Sequence, residues 1–227
     1  MQPTPTALVA TLALLAGTAL HAAELKVYVT TPDGKPAADV VVVLLPTGSP
    51  ATPPPPAAAA LIVQQEIRFS PYVTAVPQGA TVRFVNRDRF DHHVRSVAGG
   101  PLGSIAPAQE FDFRLKAARG GAETSQDVRF DAAGATTVGC HLHGSMRAHV
   151  FASPSPWVAV TDAAGRATLA DAPEGSADLR LWHPDQLVAQ TQQRLAVTAA
   201  TGSVQAQLNF SPRARPAPRQ PYSAYPN

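Results

Sequence analysis

Apolar residues along this chain recur at every second position in short runs broken by proline, glycine and aspartate, a pattern that predicts strands and turns. Leu25, Val27 and Val29 alternate with polar neighbours, Pro32-Asp33-Gly34 marks a turn, and Val40 to Leu45 is short and continuously apolar. Further strand-like runs fall near 61–69, 72–76 and 81–86, the last two separated by Pro77-Gln78-Gly79. Phe111, Phe113 and Leu115 mark a half-buried strand, 116–126 is a polar loop, and strands follow near 127–131, 136–140 and 147–152. The segment 154–210 repeats the opening pattern, with Trp157, Val158 and Val160, a turn at Gly165, a strand at 167–170, and others near 177–182, 190–197 and 203–210. Only 185–196 offers a weak helical periodicity. The expectation is an all-β protein made of β-sandwiches.

Three stretches interrupt this pattern. From Ala7 to Leu20 the chain is almost wholly apolar. That run is too short to cross a bilayer of about 30 Å as a helix, so residues 1–23 read as an export signal. The signal implies a periplasmic or secreted protein with no stable membrane insertion after cleavage. Residues 46–60 hold six prolines between 46 and 56 and read as an extended linker. Residues 211–227 carry five prolines, three arginines and no acid, which suits a disordered basic tail. The remainder, 24–210, holds 15 basic and 16 acidic residues, too even a balance for a dedicated nucleic-acid binder. Proline at 23 of 227 residues argues against a helical bundle, and a single cysteine excludes a disulfide framework. No G-x-S-x-G, Walker A or dinucleotide glycine pattern is present.

The chemistry concentrates in Gly139-Cys140-His141-Leu142-His143-Gly144-Ser145-Met146. Cys140 is the only cysteine, and Met146 is the only methionine besides the first residue. Thiolate, imidazole and thioether are soft or borderline donors, and two histidines, one cysteine and a weak axial methionine make an electron-transfer copper site. The C-x2-H-x2-M loop can wrap one ion, and the second imidazole must come from elsewhere. Asp91-His92-His93 supplies it. Alternation places Phe90, His92 and Val94 on the core face and Asp91, His93 and Arg95 on the other, so His92 points toward Cys140 and His93 toward solvent.

Phe84-Val85-Asn86, five residues, then His92-His93-Val94, with Phe130 and Gly134 leading into Gly139-Cys140, resembles the cupredoxins, the blue copper proteins such as plastocyanin and amicyanin. The short gap from His143 to Met146 is similar to amicyanin, and Trp182-His183-Pro184 is similar to plastocyanin-like proteins known as methylamine utilization proteins. The resemblance implies a Greek-key cupredoxin β-sandwich over 61–153, binding one copper ion that cycles between Cu(I) and Cu(II) through His92, Cys140, His143 and Met146. It departs from the family where asparagine usually follows the first histidine, so His93 remains an alternative ligand. His141 reads as an exposed neighbour of the site, and Asn86 as a brace of the site or a turn residue. His149 reads as a surface strand histidine, His183 as a turn residue, and Trp157 and Trp182 as core.

Residues 24–45 are similar to the opening hairpin of a carboxypeptidase-regulatory or transthyretin-like sandwich, and 160–182 to its next strands. A lone hairpin is marginally stable in water. The expectation is therefore a second small sandwich from 24–45 together with 157–210, into which the cupredoxin is inserted through linkers at 46–60 and 152–157. The functional expectation is an exported type 1 copper protein, not an enzyme, that carries single electrons to or from a redox partner protein. The alternatives are a copper-delivery or homeostasis module, with His93, His141 and His149 as an exposed ligand track, and an envelope scaffold with a vestigial copper site.

Overall fold

The computed structural model describes residues 23–48, 59–100, 103–198 and 200–214. The apolar run read as an export signal and most of the proline-rich linker lie outside these residues. Among the described residues every regular element is a strand. Four sheets form two hydrophobic cores.

One core is built from two segments far apart in the sequence, 23–46 and 157–208. β1 (Ala23–Thr30) lies between β13 (Arg166–Ala172) and β16 (Ser203–Gln207), with Leu25 opposite Leu169. β2 (Val41–Pro46) lies between β12 (Val158–Val160) and β14 (Gly175–Trp182), and β15 (Gln193–Val197) completes that sheet. Leu25, Val27, Val42, Leu44, Trp157 and Leu179 fill the space between the two sheets. The run through β2 is apolar without alternation because both its faces are covered: Val42 and Leu44 look into this core, while Val41 and Val43 pack the opposite way. Gly165, at φ +72°, turns the chain into β13 so closely that a Cβ would stand 2.4 Å from the Val29 carbonyl oxygen.

The other core lies between β4-β3-β6-β9 and β5-β11-β10-β7-β8. Its strands are β3 (Ala60–Gln65), β4 (Arg68–Ser70), β5 (Val73–Pro77), β6 (Thr81–Asn86), β7 (His92–Val97), β8 (Asp112–Leu115), β9 (Thr124–Arg129), β10 (Gly134–Cys140) and β11 (Arg147–Ser153). The chain repeatedly crosses from one sheet to the other, and β3 pairs β6 and β5 pairs β11 in parallel. Ile62, Phe84, Val94, Phe130, Val138 and Val150 occupy the centre. The two sandwiches meet where Val41, Val43 and Trp182 pack against Val73, Ala75 and Phe151.

Several sequence expectations change. The run 61–69 is a hairpin, because Glu66 and Ile67 both take positive φ and reverse the chain between β3 and β4. β2 runs through Pro46 and β3 begins at Ala60, which shortens the first linker to 47–59. The weakly helical stretch 185–196 consists of turns followed by β15, since Pro184 and the 183–186 turn interrupt any helix. At the start of the basic tail, Arg213 forms an ion pair with Asp185 at 2.6 Å; 215–227 lie outside the described residues.

Candidate metal centre

Three strand ends at one edge of the second core converge on a buried cluster. β6 ends at Asn86, the chain loops over, and β7 begins at His92. β10, paired with β7 on one side and β11 on the other, ends at Cys140 opposite Val94. The following loop closes through the Met146 amide donating to the His143 carbonyl at 3.0 Å, which turns the chain straight back into β11. The C-x2-H-x2-M spacing is short because it is a single tight loop between neighbouring strands.

His92 is fully buried, Cys140 is 3% exposed and Met146 is 1% exposed. Cys140 Sγ lies 3.6 Å from His92 Nδ1 and 3.5 Å from His143 Nδ1, and the two Nδ1 atoms are 3.2 Å apart. The point equidistant from these three atoms lies about 2.0 Å from each, which matches a metal–imidazole bond of about 2.0–2.1 Å and is slightly short for a metal–thiolate bond. The three residues therefore fit one ion, and they are the group of metal-competent side chains found among the described residues. Met146 packs in the same core as Cys140.

The tautomer of His92 is set by its other nitrogen. Nε2 lies 2.8 Å from Asp88 Oδ2, and since a carboxylate only accepts, the ring carries its proton there and presents the Nδ1 lone pair to the cluster. Burial pushes the His92 pKa below its ordinary value, with the Asp88 hydrogen bond opposing that shift. The ring is thus neutral at neutral pH, the state a metal needs. Asp88 is itself nearly buried and also accepts from the Glu66 amide at 2.7 Å and the Ile67 amide at 3.3 Å. One carboxylate joins the β3–β4 turn to the imidazole.

Asn86 combines both roles expected of it. Its Oδ1 accepts from the Asp88 amide at 2.8 Å, an Asx turn, while Nδ2 donates to the Phe90 carbonyl at 2.9 Å and the Lys116 carbonyl at 2.8 Å. Fully buried and fully bonded, it holds the loop that delivers His92. His93 faces the other side of the strand, bonds Asp112 at 2.5 Å, and sets its ring edge-on to exposed His141 at 5.4 Å.

The structure departs from expectation at Phe90, which is 40% exposed. It precedes β7, where the pleat does not yet dictate direction, and its ring lies over those of His92 and His143 at 5.3 and 5.2 Å. His149 is not a surface histidine: it bonds Tyr72 and Thr137 at 3.2 Å each and lies near Trp182, and burial lowers its pKa to about 4. His183 is buried, with Nδ1 accepting from the Asp185 amide at 3.1 Å and its ring against Phe210. Sequence reasoning missed Asp88; a carboxylate four residues before a ligand-competent histidine was the available signal.

No protein-family model and no curated protein matches the chain. Among solved structures it is similar to a reduced Cu(I) form of an amicyanin variant, at 22% identity over 43% of this chain and 84% of that one, with a TM-score of 0.34. It is similar to a copper-containing nitrite reductase from Thermus scotoductus at 22% identity, over 47% of this chain and 25% of that one, with a TM-score of 0.35. A purple cupredoxin from Nitrosopumilus maritimus aligns at 19% identity over 41% of this chain and 99% of that one, with a TM-score of 0.33. The all-β architecture and the His92–Cys140–His143 cluster are what this chain itself contributes to the resemblance to cupredoxins.

Proposed function

We propose that this protein is a type 1 copper protein that carries single electrons outside the cytoplasm. The observation that carries the reading is the buried triangle of Cys140 Sγ, His92 Nδ1 and His143 Nδ1, whose size suits one ion and whose His92 tautomer is preset by Asp88. His92, Cys140 and His143 would hold the ion with Met146 as the weak axial donor, and copper would supply a one-electron couple. The chain's own residues supply the rest. Asn86 and Asp88 fix the loop and the ring, so the donor positions need little rearrangement between oxidation states. Half-buried His143 lies beneath exposed Phe90 and beside exposed Leu142, an apolar rim through which a partner can approach the buried centre. The filled set of donors leaves no position for a substrate and favours a carrier over an enzyme. The division into an inserted copper sandwich and a host sandwich belongs to the same proposal, supported by the pairing of β1 and β2 with strands beyond residue 157.

A copper-delivery module is the second reading, favoured by the adjacent rings of half-buried His93 and exposed His141; His149, bonded to Tyr72 and Thr137, does not extend that track. Adding Cu(II) to the purified protein separates the two. An intense thiolate-to-copper absorption and a reversible one-electron wave are expected for the carrier. Cys140→Ser should abolish the colour and most of the affinity, because only the thiolate provides both. A pale, redox-silent copper complex would overturn the carrier reading.

A further inference from the structure

Building on the electron-carrier reading, we propose that the open outer face of β7, β8 and β10 is a docking surface for an acidic protein. Among the described residues the host sandwich packs on the outer face of this five-stranded sheet at β5 and β11, where Val73, Ala75 and Phe151 meet Val41, Val43 and Trp182, and its 182–189 segment lines a cavity with Ala135 and Thr137 at the start of β10. Residues directly opposed in antiparallel strands share a face. His93 opposes Arg114, Arg95 opposes Asp112, and Gly139 opposes both Arg95 and Arg147. These pairings gather three arginines, His93 and one aspartate on the half of the face that the host leaves open. Gly139 makes room for the Arg147 guanidinium, since a Cβ there would stand 2.9 Å from its Nη1.

Among the described residues the arginines of this face form no ion pair, whereas several on other strands do. Arg83 is paired with Asp127, Arg129 with Asp131 and Arg194 with Asp178. Among the described residues no ion pair engages Arg95, Arg114 or Arg147, and the carboxylate of Asp112 is taken up by His93. Arg114 acts on Asp91 only at longer range and Arg147 donates to the Met146 carbonyl, so all three guanidinium groups remain without a carboxylate in direct contact. Such groups match carboxylates in bidentate geometry and steer an oppositely charged surface during encounter. The face adjoins the metal centre, because His93 follows His92 and His141 follows Cys140 along the chain. The apolar rim of Phe90 and Leu142 beside it supplies the dry contact typical of a protein partner. Three arginines are too few for a membrane or nucleic-acid surface, which needs a broader basic footprint.

The test is an amide chemical-shift titration of the full chain with poly-L-glutamate at low and physiological salt. Shifts are expected on β7, β8, β10 and the start of β11, weakening with salt. Arg95→Glu/Arg114→Glu together should weaken binding at least about tenfold, and Arg114→Glu alone, at an exposed position, about threefold. Arg180→Glu, an exposed arginine on β14, should leave it within about twofold. Shifts elsewhere, unchanged binding by the double variant, or tighter binding to duplex DNA or phosphatidylglycerol vesicles than to polyglutamate would overturn the proposal. The titration involves no electron transfer. A redox-silent protein that binds here removes the carrier reading and leaves the surface; a redox-active protein that ignores polyglutamate removes the surface alone.

Discussion

Asp88→Asn preserves the size of a nearly buried side chain and replaces one of its two acceptors with a donor. In the native protein Oδ1 accepts from the Glu66 amide at 2.7 Å, while Oδ2 accepts from His92 Nε2 at 2.8 Å and the Ile67 amide at 3.3 Å. If the remaining oxygen stays on the turn, an N–H meets the Nε2–H of His92. The imidazole must then move its proton to Nδ1, where it blocks the lone pair aimed at the cluster. Losing a charge-assisted hydrogen bond costs about 1.5–3 kcal/mol, or about 10- to 100-fold in metal affinity. If the carboxamide turns over, its oxygen takes the Oδ2 place beside His92 and Ile67 while the Glu66 amide meets an N–H instead of an acceptor, and a similar about 1.5–3 kcal/mol appears as lost stability of the metal-free protein. Both quantities are measurable on one sample, by copper titration of the visible band and by urea unfolding without metal. Native affinity together with native stability would refute the assignment of Asp88 as the link between turn and imidazole.

The remaining predictions concern histidines. His92→Ala should abolish the copper chromophore and His93→Ala should leave it nearly intact, since the pleat sends the two rings to opposite faces; equal spectra from the two variants would contradict that. His149 is held neutral by burial, with Asp185 opposing the shift and His183 and Arg147 reinforcing it. Its pKa is about 4 in the folded protein and ordinary in the unfolded chain. The unfolded state therefore binds the extra proton first. His149's contribution is present above about pH 6.5 and lost as pH falls toward 4, up to about 3 kcal/mol in all. Urea midpoints across that window should fall less for His149→Gln than for the native metal-free protein, and parallel curves would exclude the effect.

The candidate site was legible where its information is local. The gap from Cys140 to His143 to Met146 is a property of one tight loop, and the direction of His92 follows from a period of two along β7. Phe90 shows the limit of that rule: two residues outside the strand no ladder constrains it, and it turns to solvent. Asp88 was legible only in its spacing of four residues before His92; its other partners, Glu66 and Ile67, sit in a turn some twenty residues earlier, and no local pattern signals a carboxylate that bridges two loops. His149 was misread for a similar reason. Its strand alternates as an exposed edge would, and only the packing of Trp182 and Tyr72 from distant segments half-buries it.

Alternation and punctuation by themselves determined that this chain makes sandwiches, that His92 and Cys140 point into one of them, and that thiolate, imidazole and thioether lie within reach of a single loop. Those are consequences of backbone geometry acting over a few residues. Only the tertiary structure decided the rest: the β2 run has two buried faces, segments 23–46 and 157–208 share one core, and the three donor atoms close to within 3.6 Å of one another. Each of these depends on burying apolar surface and satisfying polar groups between segments far apart in sequence, and such terms have no value until both segments are in place.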